Sequence, residues 1–221
     1  MTVIVSGLYR GRRGTALPDG TASGMIKSAV DEPVHIGVAG VAADYQADRL
    51  VHGGPDKAVH HYPAEHYGRL AAAFPAVAAL LVPGALGENM TSHGLDEHGV
   101  HLGDVYALGG VRLQLTQPRR PCWKIDRRFE QRGLAACVAG AGLTGWYYRV
   151  LTPGACAAGE ALELLERADG APSVAEFHAA LATPRPSLDR LARYAALPTL
   201  PAALRARLAS RLDWLRRHPP R

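Results

Sequence analysis

The segment Gln117–Lys124, QPRRPCWK, sets one cysteine among two arginines and a lysine. Arg119, Arg120 and Lys124 should favour the thiolate of Cys122, the form that ligates metals and attacks electrophiles. The residues before it alternate, with Val111, Leu113 and Leu115 on one face and Arg112, Gln114 and Thr116 on the other. That is the period of a half-buried strand. Pro118 and Pro121 then bar the ladder from continuing, which leaves Cys122 on a turn at a strand end. Three readings of Cys122 stand at this point: a metal ligand, a nucleophile, or a small apolar plug beside Trp123. Cys137 reads as buried filler in the small apolar run GLAACVAGAGLTG, and Cys156 as structural beside the Pro153-Gly154 turn. Three cysteines without CxxC spacing suggest neither a disulfide framework nor a structural zinc site.

The densest polar stretch is residues 44–67, DYQADRLVHGGPDKAVHHYPAEHY. His52, His60, His61 and His66 fit no standard zinc spacing, and adjacent strand side chains point to opposite faces. The Gly53-Gly54-Pro55-Asp56 turn offers a different service: its backbone N–H groups, with Lys57, could cradle an anion. A second glycine-punctuated block, PGALGENMT at 83–91, presents Asn89 and Thr91, whose bland reading is turn chemistry. The chain has 22 arginines and three lysines, Lys27, Lys57 and Lys124, each inside a Gly-, Pro- or His-marked block. A compact ammonium kept where arginine is the habitual cation hints at close approach to a phosphate or carbonyl.

The elements that must position these residues fall into two patterns. Strands are expected at Thr2–Tyr9, 25–30, 33–38, 58–62, 100–105, 111–116, 146–151 and 159–165, joined by Gly- and Pro-rich turns. Pro63 is expected to open a helix running to Phe74. Many short strands and few helices argue for a mainly β, barrel-like domain over residues 1–167. After a linker, three short helices are expected at 174–182, 187–196 and 202–217, the first capped by Ser173. In the last, Leu204, Leu208, Leu212 and Leu215 form a core-facing stripe. They make a small all-α module over residues 173–217, too small to fold confidently alone.

Charge separates the same two parts. Residues 1–172 carry 16 Lys+Arg against 17 Asp+Glu, and residues 173–221 carry 9 against 3, so the net +5 belongs to the tail. A basic tail suits an acidic partner or a solvated helix face. It has no aromatic interleaving, so nucleic acid is not expected. No apolar run is long enough to span a bilayer, and the N-terminus has its charges after its short apolar stretch, the wrong order for a secretory signal. A cytoplasmic location without a membrane is therefore the expectation.

Taken in order, the blocks SGMIKSAV (23–30), DYQAD (44–48), HGGPDKAVHHYPAEHY (52–67), PGALGENMT (83–91), QPRRPCWKI (117–125) and GWYYRVL (145–151) resemble the MOSC-domain family. That is the domain type found at the C-terminus of molybdenum cofactor sulfurase. The resemblance is closest to the YiiM-like branch, in which three helices follow the barrel. It implies a molybdenum–molybdopterin cofactor and reduction of N-hydroxylated small molecules, including hydroxylaminopurine-type bases and amidoxime-like compounds. By the same resemblance Cys122 is the catalytic residue and the thiolate on molybdenum, a soft ligand for a sulfur-bound metal. Lys27 and Ser28 would hold the pterin phosphate. Gln46, His52 and Lys57, with Asn89 and Thr91, would line the pterin, and Arg119 and Arg120 would flank the cofactor.

No GxGxxG, flavin motif or iron–sulfur cysteine set is present. Electrons must then come from a separate flavoprotein or ferredoxin-like reductase, for which Arg205, Arg207 and Arg211 of the tail are docking candidates. Three rivals stay open: a non-catalytic carrier of sulfurated cofactor, a thiol enzyme with His52 or His60 as base, and a basic nucleic-acid module. The assembly state, homo-oligomer included, is also open.

Overall fold

The computed structural model describes residues 1–47 and 52–219. Asp48, the last residue of the DYQAD block, lies outside the described residues. The long first strand β1 (Thr2–Gly11) is followed by β2 (Lys27–Ala29), β3 (Val34–Gly37), β4 (Gly40–Val41) and β5 (Val59–Pro63). Helix α1 (Glu65–Ala73) leads to β6 (Met90–Ser92), β7 (Val105–Leu108) and β8 (Val111–Pro118). Helices α2 (Lys124–Phe129) and α3 (Leu134–Gly140) precede β9 (Trp146–Thr152), β10 (Gly154–Cys156) and β11 (Ala161–Glu166). Three helices end the chain: α4 (Val174–Ala182), α5 (Leu188–Ala195) and α6 (Ala202–Arg217).

Seven strands close a barrel. Their order is β11-β7-β8-β9-β5-β6-β1, and β1 returns to β11 through the pairs Thr2 to Glu163 and Ile4 to Ala161. Closure removes the unpaired edges that an open sheet of this size would expose. The pair β5–β6 is parallel, and the other barrel pairs are antiparallel. β2 extends β1, and β10-β3-β4 form a small second sheet. The fold is mainly β, as the short strands and turns imply.

One buried cluster fills the barrel with residues such as Val59, Leu113, Leu115, Trp146 and Tyr148, and continues through Phe177, Leu191, Leu208 and Leu212 of the final helices. All four leucines of the α6 stripe are buried. Each contributes about 1.5–3 kcal/mol relative to exposure. Ser173 caps α4 in a reciprocal box: its hydroxyl accepts from the Glu176 N–H at 3.1 Å, and the Glu176 carboxylate accepts from the Ser173 N–H at 2.8 Å. A second cluster lies under α1, α2 and α3 and includes Met25, Tyr62, Leu86, Ile125 and Phe129. Cys137 packs against it half-buried, whereas Cys156 is buried.

Four local expectations need correction. Pro63 does not open the helix: it is the last residue of β5, opposite Ser92, and α1 starts two residues later. The Ala64 N–H donates to Ser92 O at 3.0 Å, so the parallel ladder claims this stretch. Residues 100–105, expected as a short strand and turn, precede the strand, which begins at Val105. Met90 and Thr91, read as part of a turn block, belong with Ser92 to a wholly buried strand between β5 and β1, too short to show a period. Thr116, expected on the outward face of β8, is buried, because the register against β9 shifts between Leu115 and Gln117. That bulge reverses which side chains point inward along the last residues of the strand. No helix among the described residues is long and apolar enough to cross a membrane.

His61 of β5 is fully buried, with Nδ1 3.2 Å from the Tyr148 hydroxyl and Nε2 2.9 Å from Ser92 Oγ. Burial pulls its pKa from 6.5 to about 3. The unfolded chain therefore binds the extra proton first, and the contribution of His61 to stability is whole above 6.5 and is lost as pH falls toward 3. The loss should be on the order of 4 kcal/mol across that window. Urea unfolding followed from neutral to acid pH should show a shallower acid decline in His61→Gln than in the parent chain.

Candidate functional site

The chain leaves β8 at Pro118 and must place Arg119, Pro121 and Cys122 within four residues. The Arg119 N–H donates to Gly145 O at 3.0 Å, which pins the exit against the start of β9. Gly145 has a φ of +63°, and a Cβ there would meet His61 O at 2.4 Å, so no other residue fits. The Gly145 N–H is held in turn by the buried Glu97 carboxylate at 2.6 Å, whose other oxygen lies 2.7 Å from His66 Nε2. After the turn, Cys122 O accepts from the Ile125 N–H at 3.0 Å and α2 begins. Cys122 is thus fixed at both ends and remains half-exposed, a free thiol.

Cys122 lines a cleft whose wall includes Lys27, Gln46, His52, Lys57, Asn89 and Arg119. Seven of the ten residues named from the sequence therefore share one cavity. Three do not. Ser28 is exposed on β2, opposite Arg10. Thr91 is buried inside the barrel, its hydroxyl 3.2 Å from Ser6 Oγ and 3.4 Å from the Tyr9 hydroxyl. Arg120 is exposed outside the cleft wall.

At one end of the cleft Asp44 is a hub. Its carboxylate accepts from Lys27 Nζ at 2.5 Å, Asn89 Nδ2 at 2.8 Å and the Gly11 N–H at 2.6 Å. The Lys27 and Asp44 side chains are 5% and 2% exposed, so this is a buried ion pair. Burial lowers the Lys27 pKa, and the Asp44 charge opposes that shift. Asn89 also accepts from the His60 N–H at 3.2 Å and donates to Tyr9 O at 3.2 Å, which fixes its orientation.

The middle of the cleft holds Arg119, His60 and Tyr147 with Cys122. Arg119 is buried; its Nη2 donates to Leu86 O at 3.2 Å, and its Nη1 has no hydrogen-bond partner among the described residues. The loop presenting that carbonyl is held by Glu88, which accepts from the Tyr67 hydroxyl at 2.6 Å and the Leu86 N–H at 3.1 Å. Burial raises the Glu88 pKa against these bonds. Burial and then the Arg119 charge push the His60 pKa well below 6.5, so the imidazole is neutral, and its Nε2 also has no hydrogen-bond partner among the described residues. Burial likewise raises the Tyr147 hydroxyl, which keeps its proton.

Asp44, Tyr147 and Lys124 are wall residues that the sequence reading did not assign to the site. Asp44 sat in a quoted block without a role. Tyr147 is hidden in a run of three aromatics that conceals strand phase, and its place follows only from its pairing with His60 on one side and Gln117 on the other. Lys124 lines the cleft beside Cys122, with its Nζ on Ala22 O at 3.1 Å. No cluster of three or more His, Cys, Asp or Glu suited to a metal occurs among the described residues.

Asp44→Asn should cost about 3 kcal/mol in urea unfolding, because it strands a buried ammonium. Adding Lys27→Met should recover at least half of that loss, and strictly additive costs would show that the two charges do not depend on one another.

A family model described as the MOSC domain matches residues 48–163. Protein YiiM of Escherichia coli (strain K12) is 41% identical over 152 residues, which is 69% of this chain and 68% of that protein. A protein of Gibberella moniliformis (strain M3125 / FGSC 7600) named Reductase is 34% identical over 192 residues, 84% of this chain and 34% of the relative. The crystal structure of YiiM from Geobacillus stearothermophilus superposes with a TM-score of 0.81 at 30% identity, covering 95% of this chain and 99% of that one.

Proposed function

Because the chain belongs to the MOSC-domain family, we propose that it is a molybdenum-cofactor-dependent reductase that takes N–OH to N–H in hydroxylaminopurine-type bases and amidoxime-like molecules. The MOSC domain is akin to the C-terminal part of molybdenum cofactor sulfurase, which implies association with that cofactor. The observation that carries the reading is Arg119: a buried guanidinium, with Nη1 unpartnered, on the wall of the cleft that Cys122 shares. A buried guanidinium with an N–H left unsatisfied is costly, and an anionic group in the cleft offsets that cost.

The other wall residues fit a phosphorylated pterin bound to a soft metal. Cys122 supplies a sulfur ligand. Gly24, Gly53 and Gly87 let Tyr45 O, the Gln46 side chain and Met25 pack closely along that part of the wall, where an added Cβ would lie 2.0, 2.3 and 3.1 Å from them. Lys57, Gln46, His52 and Asn89 supply polar contacts, and Lys27 reaches the same end while paired to Asp44. When bound, the molybdenum–pterin group supplies the two electrons of the reduction.

Overall, the N–O bond breaks, two electrons and two protons enter, and water leaves. Arg119 balances negative charge beside Cys122. His60, held neutral, adds no second positive charge next to Arg119 and offers an imidazole nitrogen for a hydrogen bond. Tyr147 keeps a hydroxyl proton with which to orient the substrate. Met25 and Leu86 close part of the wall with apolar surface and limit water. The electrons come from a separate flavoprotein or ferredoxin-like reductase.

The test compares parent and Cys122→Ala protein made in a host that synthesises the cofactor. Bound molybdenum and reduction of 6-N-hydroxylaminopurine with a chemical reductant are both measured. The variant should lose at least about a hundredfold in turnover, more than second-layer changes around a metal cost. Equal turnover would remove Cys122 from its role. Molybdenum bound without any turnover of the parent would mark a carrier instead.

A further inference from the structure

The middle of the cleft gathers Tyr147, Arg119, His60 and Cys122 on one wall. Tyr147 owes its place there to alternation along β9. Trp146 and Tyr148 point into the barrel with no exposed surface, so Tyr147, between them, faces the other way and stays partly exposed. It is held on both sides, by pairing with His60 of β5 and with Gln117 of β8. The bulge in β8 adds a third hold: Thr116 Oγ1 lies 3.1 Å from Tyr147 O and 2.7 Å from Asp56 O. The Tyr147 ring rests against the His60 imidazole, with centroids 5.2 Å apart at 41°. A phenol on a strand paired on both sides is set more precisely than one on a loop.

Of these four side chains, Tyr147 is the one with a proton to release at neutral pH. Arg119 does not give up its proton. His60 is a neutral imidazole, its pKa pushed well below 6.5 by burial and then by the Arg119 charge. Cys122 serves as the sulfur ligand. Burial raises the Tyr147 hydroxyl above its usual 10.0, which keeps it a phenol. The Arg119 charge works against that rise and steadies the phenolate once the proton has gone. A phenol of pKa about 10 gives its proton downhill to a departing hydroxide, whose conjugate acid, water, has a pKa of about 15.7. That gap leaves room for the upward shift.

We propose that Tyr147 is the catalytic acid of the reduction, giving its phenolic proton to the hydroxyl oxygen of the substrate as the N–O bond breaks. The role rests on the reductase reading above. Two electrons enter from the reduced molybdenum–pterin group, so that oxygen and nitrogen each leave the broken bond with an electron pair. The Tyr147 proton completes water. A proton from solvent completes the N–H bond, and solvent returns a proton to the phenolate.

Loaded parent and Tyr147→Phe proteins are compared on benzamidoxime and on its O-acetyl ester, with a chemical reductant. The ester expels acetate, the anion of an acid of pKa about 4, and needs no proton on the leaving oxygen. Tyr147→Phe should lower kcat and kcat/KM for benzamidoxime together by at least about a hundredfold, the size of a lost general acid. On the ester its loss should stay below about tenfold. Molybdenum content and circular dichroism should match the parent. A second readout needs no cofactor: the phenolate absorbance of parent minus Tyr147→Phe protein should reach its midpoint above pH 10.0. The groups that bear on that titration are Arg119 and Cys122 at the exit of β8, His60 of β5, and Lys57 of the turn Pro55–Lys57 before it. Equal losses on the two compounds reduce Tyr147 to a packing role, and an undiminished benzamidoxime rate removes it from the reaction. Either result overturns the acid while the reductase reading stands. Phenolate already present at neutral pH, or a variant that binds no molybdenum, overturns it as well. If the parent reduces neither compound, the reductase reading fails and the acid falls with it.

Discussion

The shape of the cleft depends on one buried carboxylate. Glu97 grips the Gly145 N–H, and the carbonyl of that same glycine grips the Arg119 N–H. One acid therefore aligns the start of β9 with the exit of β8, and both Cys122 and Arg119 take their positions from that alignment. His66 holds the free oxygen of Glu97, so the acid is satisfied on both sides. Glu88 does the equivalent for the facing loop, whose Leu86 carbonyl meets Arg119. Neither carboxylate lines the cleft. Their work is to leave Arg119 with one committed nitrogen and one uncommitted one.

The charges of the site divide accordingly. Lys27 is buried with a full counter-charge, and Asp44 spends its oxygens on Lys27, Asn89 and Gly11. That end is balanced within the protein and is rigid for that reason. Arg119 is buried, and among the described residues its Nη1 has no hydrogen-bond partner. A protein that settles one buried cation and leaves another open has separated a structural charge from a receptive one.

Much of this was legible from residue types alone. Strand alternation at 111–115, the capping serine at 173 and the leucine stripe of α6 each depend on neighbours within one turn or one pleat, and the structure shows them where the pattern puts them. Long-range pairing was not legible. Thr91 carries the hydroxyl expected of a contact residue, but β6 is clasped between β5 and β1 and turns that hydroxyl toward Ser6. Ser28 sits on a strand whose partner directs it outward. The phase of β8 changes at a bulge set by β9, so Thr116 could not be placed from β8 alone. The pairing of Asp44 with Lys27, across 17 residues of loop and short strand, has no local signature either.

The barrel closes where Thr2–Ile4 meets Ala161–Glu163. Nearly the whole domain must exist before its first strand can find its last neighbour, and contacts of such separation slow folding. On the ribosome, β1 emerges early and waits with one flank unpaired until β11 follows. The strand is suited to waiting: it carries a glycine and a register shift near its middle, between Val5 and Gly7, which bend it away from the flat form that recruits foreign strands.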